Sequence, residues 1–223
     1  MAPARLGLAM LAASALSLLA GAPALSATMH ARHHARHASH HVGRHTYRRA
    51  HLHAHHHSSA AASGTCTNSE LRPSRDDLAL IRTATLCLVN RERTARGELA
   101  LQANARLEAA AQAHTESMAF GDYFEHAGPG GQTLMDRMRS SGYIHSSRVG
   151  FAVGENIAWG TGELASPRAI VAAWMASPGH RANILDGHFR DTAIGVSPHP
   201  PTSLAHGASG GIYTQDFGVI THG

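Results

Sequence analysis

The sequence predicts an α+β domain in which helices pack on a small, mostly antiparallel sheet. Three observations predict it. Segments with helical apolar spacing come first, then one strand-like segment, a helix and two more strand-like segments, which is not a regular βαβ alternation. Every Asp and Glu of the 223 residues lies at or after Glu70. Residues 28–65 hold few apolar side chains larger than Ala, so the core-building residues lie beyond them.

The first 27 residues have the layout of a secretory signal. Arg5 supplies the positive start, the run from Leu6 to Ala20 is apolar and uncharged, Pro23 breaks it, and residues 24–27 (ALSA) offer small side chains for cleavage. An apolar run of about 15 residues is shorter than the roughly 20 a spanning helix needs. Twelve of the twenty histidines fall between His30 and His57, interleaved with Arg32, Arg36, Arg44, Arg48 and Arg49. This segment cannot bury enough surface to offset its ordering entropy and is expected to be disordered. His33, His34, His40, His41, His55, His56 and His57 are its candidate ligands for nickel, copper or zinc. Below about pH 6.5 the same imidazoles would turn it into a polycation able to adhere to anionic envelope polymers. Residues 66–223 are expected to form the folded domain.

Charge narrows the partners. Residues 1–69 hold six Arg and no acid, while the rest holds thirteen Arg against fifteen acids. The pI of 9.7 therefore belongs to the N-terminal segment. The folded part lacks the basic surface that phosphate binding requires, so no nucleic-acid partner is expected. A monomer is expected, with a lipid or envelope-derived molecule as its ligand. Cys66 and Cys87 are the only cysteines. Their spacing fits no zinc ribbon, and an oxidising compartment would allow a bridge between the end of the N-terminal segment and the first helix.

Leu80, Ile81, Ala84, Cys87 and Leu88 form an apolar stripe for a helix from about Asp77 to Ala95, with Ser74 or Asp76 as cap, Arg91, Glu92 and Arg93 at a wet end, and Gly97 as stop. Asn104 caps a second helix, on which Leu107, Ala110, Ala111, His114 and Met118 share a face. Thr133 opens a third, short helix ended by Gly142. Residues 148–158 alternate as a strand. Ser166 then Pro167 begins a helix that reaches about Ala176, where Ser177-Pro178-Gly179 breaks it. Residues 191–197 and 211–219 are late strands. Residues 128–131 (GPGG) follow no strand and are a turn, not a phosphate cradle.

Four polar features interrupt apolar surroundings: His126 after the second helix, Glu155 within a strand, His180 after Pro-Gly, and Tyr213-Thr214-Gln215 in the last strand. Periodicity alone does not bring them together. The strings that carry them are residues 88–93 (LVNRER), 109–118 (AAAQAHTESM), 123–126 (YFEH), Gly142-Tyr143, 154–158 (GENIA), 174–185 (WMASPGHRANIL), 194–196 (IGV) and 213–215 (YTQ). In this order and spacing they resemble the bacterial branch of the CAP superfamily, related to plant pathogenesis-related proteins, cysteine-rich secretory proteins and insect venom antigens. The resemblance covers about residues 77–219.

The resemblance implies a three-layer α-β-α sandwich with a central cleft. In the eukaryotic members two His and two Glu face that cleft and hold a divalent cation. By position the first pair is His126 and Glu155, whereas Ser177 and Ile212 stand where the second Glu and second His would fall. His180 is the substitute that the bacterial pattern offers. His126, Glu155 and His180 would make an open zinc site, three protein ligands leaving a position for water. Ser177, Asn156, Tyr213 and Gln215 are expected beside the cleft, and His114 as a buried, hydrogen-bonded structural residue.

Two functions follow for the domain, besides the adhesive role of the histidine segment. One is a non-enzymatic extracellular binding module. The other is a hydrolase acting on peptides or envelope material, with His180 as general base, Glu155 or a metal-bound water completing the site, and Ser177 as a candidate nucleophile.

Overall fold

The computed structural model describes residues 65–221 together with Leu18–Leu19. The rest of residues 1–27, expected as a secretory signal, and the candidate metal ligands of the histidine-rich segment lie outside the described residues. In chain order the elements are β1 (Leu18–Leu19), α1 (Leu78–Thr94), β2 (Gln102–Ala103), α2 (Ala105–Gly121), α3 (Leu134–Ser140), β3 (Gly150–Thr161), α4 (Pro167–Ala176), α5 (Pro178–Leu185), β4 (Asp191–Ser197), α6 (Thr202–Ala205) and β5 (Gly210–Thr221).

The local chemistry explains most boundaries. Asn104 accepts hydrogen bonds from the backbone N–H of Arg106 and Leu107. Thr133 and Asp136 form a reciprocal capping box at α3. Ser166 accepts from Ala169 N with Pro167 at the first helical position. The expected cap of α1 differs: Ser74 donates to the Asp77 carboxylate, and Asp77 occupies the cap position without accepting from the helix backbone. Beyond α2 it is Asp122, not the glycine before it, that takes the left-handed conformation at φ 54°.

The sheet order is β1-β3-β5-β4-β2. β3, β5 and β4 run antiparallel, and β2 joins β4 in parallel. Alternation along each strand splits its residues between two layers. On one side Val153, Ile157 and Trp159 of β3, Ala193 of β4 and Ile212 of β5 pack under α2 and α3 with Leu107, Ala110, Met118, Leu134 and Met138. On the other side Ala158, Ile194, Val196, Tyr213 and Phe217 pack under α1, α4 and α5 with Ile81, Leu88, Val89, Ile170, Trp174 and Ile184. The result is a three-layer α-β-α sandwich. Gly195 lets α2 settle on the sheet, since a Cβ there would lie 2.4 Å from Ala111 O.

Two expectations need correction. Leu80 is 45% exposed, and the buried stripe of α1 runs through Ile81, Ala84, Thr85, Leu88 and Val89. Arg93 is not at a wet end but fully buried. It donates to the carbonyls of Leu99, Ile184 and Asp186, tying α1 to the last turn of α5 and beyond. Ser177-Pro178-Gly179 does end α4 at Ala176, as expected, and a further helix follows that the sequence expectation lacked. Ser177 separates two helices, and Pro178 starts α5 as Pro167 starts α4. Two-residue β2 was also absent from the sequence expectation, being too short for any period to show.

Cys66 and Cys87 form a disulfide across a separation of 21 residues, pinning the segment before α1 to that helix. Opening it in a Cys66→Ser/Cys87→Ser variant is expected to lower unfolding stability by about 3 kcal/mol, read from guanidinium denaturation.

Candidate functional site

Glu155 is the centre of the site, and the register of the sheet explains its surroundings. It lies opposite Asp216 across the β3–β5 pair, so the two carboxyl groups share one face. That face is covered by α2 and α3, which leaves Glu155 3% exposed and Asp216 fully buried. From α3, Arg137 donates through Nη2 to Glu155 Oε2 at 2.6 Å. From the loop after α2, His126 Nδ1 donates to Glu155 Oε1 at 2.8 Å. His114 Nε2 from α2 stands 3.9 Å from the same oxygen and donates to Glu125 O at 3.0 Å.

The loop that carries His126 is itself held by the site. Arg137 Nη2 also donates to the carbonyl of His126 at 3.1 Å. A cavity of about 120 Å³ opens beside this group, lined by His126, Ala127, Thr133, Leu134 and Glu155.

Burial sets the protonation pattern. Burial alone would raise the Glu155 pKa, but the hydrogen bond from His126 and the Arg137 guanidinium outweigh it and hold the group below its usual value. Asp216 moves the other way. Burial and the neighbouring Glu155 charge push it well above the carboxylate range despite Arg137. No N–H donor reaches either Asp216 oxygen, and burial beside Glu155 favours its neutral form. The pair thus holds one negative charge, balanced by one guanidinium. Burial lowers His114 to about 4, so it is neutral at pH 7.

His180 is placed differently from the sequence expectation. It is 3% exposed on α5, and neither ring nitrogen has a hydrogen-bond partner among the described residues. Burial first, and then the charge of nearby His126, lowers it to about 4. Its carbonyl accepts from Asn156, and Asn183 donates both to Glu155 O and to Asn156 Oδ1. The motif strings around Asn156 and Asn183 therefore dock α5 against β3. Trp174 Nε1 donates to Ile157 O, so two alternate carbonyls of β3 are closed by side chains of α5 and α4.

Of the three expected ligands, then, the structure joins His126 and Glu155 and leaves His180 unbonded to either. The expected cleft neighbours fall elsewhere too. Asn156, Tyr213 and Gln215 alternate onto the opposite face of the sheet from Glu155. There Tyr213 bonds Ala165 O and Gln215 bonds Thr192 Oγ1. Ser177 sits between α4 and α5 with no side-chain cap bond. Arg137 and Asp216 were missed. Each left a signal: Arg137 follows Leu134 and precedes Met138 on one helical face, and Asp216 is an acid inside an apolar strand.

The model of the cysteine-rich secretory protein family, CAP, matches residues 86–217. The chain belongs to that family. It is 37% identical over 130 residues to YkwD of Bacillus subtilis strain 168, a match covering 58% of this chain and 44% of that relative's length. Among solved structures it is similar to an extracellular protein of Bacillus anthracis containing an SCP domain, with 25% identity, TM-score 0.49 and coverage of 65% of this chain and 43% of that one. It is also similar to an outer surface protein of Borrelia burgdorferi, with 17% identity, TM-score 0.47 and coverage of 67% and 97%.

The divalent cation implied by the CAP resemblance does not fit these residues. Ile212 lies in the apolar core, Ser177 offers no carboxylate, and both oxygens of Glu155 already accept strong bonds. Among the described residues no group of three or more His, Cys, Asp or Glu side chains is arranged to hold a metal ion. Where the sequence expectation had His180 beside Glu155, the structure has Arg137 bonded to it.

Two predictions test this electrostatic account. Unfolded His180 binds a proton below about pH 6.5 and the folded residue only near 4, so it withdraws up to about 3 kcal/mol of stability as pH falls through that window. His180→Leu should therefore gain stability relative to the wild type between pH 6.5 and 4, measured by guanidinium unfolding. Asp216 titrates with the opposite sign: the unfolded group ionises near 3.8 while the folded one stays protonated, so its cost grows as pH rises. Asp216→Asn should be more stable than the wild type at pH 8, with the gap closing toward pH 4.

Proposed function

We propose that this domain is a non-enzymatic binding module of an exported protein, which seats one small group of an envelope-derived or lipid ligand in the cavity beside His126 and Glu155. The observation that carries this reading is that the cavity adjoins polar groups already engaged with one another. At about 120 Å³ it is smaller than the roughly 300–1,000 Å³ of sites that enclose whole drug-sized ligands, so it suits the tip of a larger molecule. The leader-like first 27 residues support export.

A hydrolytic reading starts from the His126–Glu155 pair, because a carboxylate that orients an imidazole is half of a general-base arrangement. Its other half is missing. His126 Nε2 is itself buried, and among the described residues no Ser or Thr hydroxyl bonds an imidazole. His180, the base expected from the sequence, is held to about 4 and lacks a bond to Ser177.

Ala127 is exposed and lines the cavity, so Ala127→Phe fills it without touching the core. Co-sedimentation of the full chain with insoluble peptidoglycan and, separately, with phosphatidylglycerol vesicles tests the reading. The wild type is expected to sediment with one of them and Ala127→Phe at least tenfold more weakly. Equal sedimentation would move binding to another part of the chain, and no sedimentation of the wild type would remove the envelope-ligand reading.

A further inference from the structure

Arg137 has a burial and bonding pattern unlike an ordinary ion pair. Its guanidinium is 3% exposed, and its stem packs within the α3 face that also buries Leu134 and Met138. One terminal nitrogen serves both the Glu155 carboxylate and the His126 carbonyl, and the other donates to the Gln132 carbonyl. The cation thus joins the acid on the sheet to the middle and the end of the loop between α2 and α3. Around it stand a second carboxyl group, Asp216, and two imidazoles, His114 and His126. These are the donor types that hold zinc elsewhere, assembled around an arginine.

We infer that the Arg137 guanidinium is the resident cation of this cleft and takes the place that a divalent metal would otherwise occupy. The guanidinium already holds a Glu155 oxygen at 2.6 Å, so a dication would face a fixed cation within bonding distance of its best ligand. The domain therefore keeps its cleft assembled without metal. This inference rests on the geometry of the site and not on any ligand, so it can fail while the binding reading stands, and the reverse.

Thermal unfolding of the full chain, followed by tryptophan fluorescence, tests it. Both tryptophans, Trp159 and Trp174, lie in the domain, so zinc captured by the histidines of residues 30–57 does not itself move the signal. The wild type should melt at the same temperature, within about 1 °C, with excess chelator and with zinc. Arg137→Ala should melt about 10 °C lower in chelator, as expected when a buried charge loses its partner, and zinc should restore at least half of that loss.

A wild type that loses stability in chelator overturns the inference. So does an Arg137→Ala protein that melts like the wild type in chelator, or one that zinc leaves at its lowered midpoint. Should Arg137→Ala fail to fold, Arg137→Met/Glu155→Gln removes both charges together. That variant should fold and ignore chelator and zinc alike, and a metal requirement in it would count against the assignment.

Discussion

A carboxylate buried on the central sheet is the constraint around which this domain is organised. Glu155 cannot stand ionised on a dry face without a counter-charge, because an isolated buried carboxylate costs several kcal/mol. Arg137 supplies the charge at 2.6 Å and His126 a second hydrogen bond at 2.8 Å. To bring them there, α3 must lie across the sheet and the loop after α2 must fold back over it. The third member, Asp216, is tolerated because it stays protonated.

The two faces of the sheet do different work. The α2–α3 face carries the ionic group and the small cavity. The opposite face carries a neutral polar band in which Asn156, Asn183, Gln215 and Thr192 bond one another and the backbone. That band docks α5 onto the edge of β3, and Trp174 closes the neighbouring carbonyl. Motif strings that suggested a shared cleft are thus divided between a site and the scaffold behind it.

Membership of the CAP family does not by itself carry a metal chemistry to this chain. The ligand positions of the eukaryotic pattern are half replaced by Ser177 and Ile212, and the remaining pair is bonded to an arginine. Function in such a fold resides in the particular residues of the site.

The sequence by itself determined the element types and most boundaries, because capping residues, proline positions and apolar periods act within a few residues of one another. It also placed His126 and Glu155 in the site through the family pattern. It did not reveal Arg93 and Arg137 as buried, since a charged side chain looks the same on a wet helix face as on a dry one until its partners are known. Nor did it separate Glu155 from Asn156, or Asp216 from Gln215, by layer. Only the tertiary structure decided those points, because strand register and helix docking are set by contacts tens of residues apart, and the charge balance of a buried site exists only once those contacts have formed.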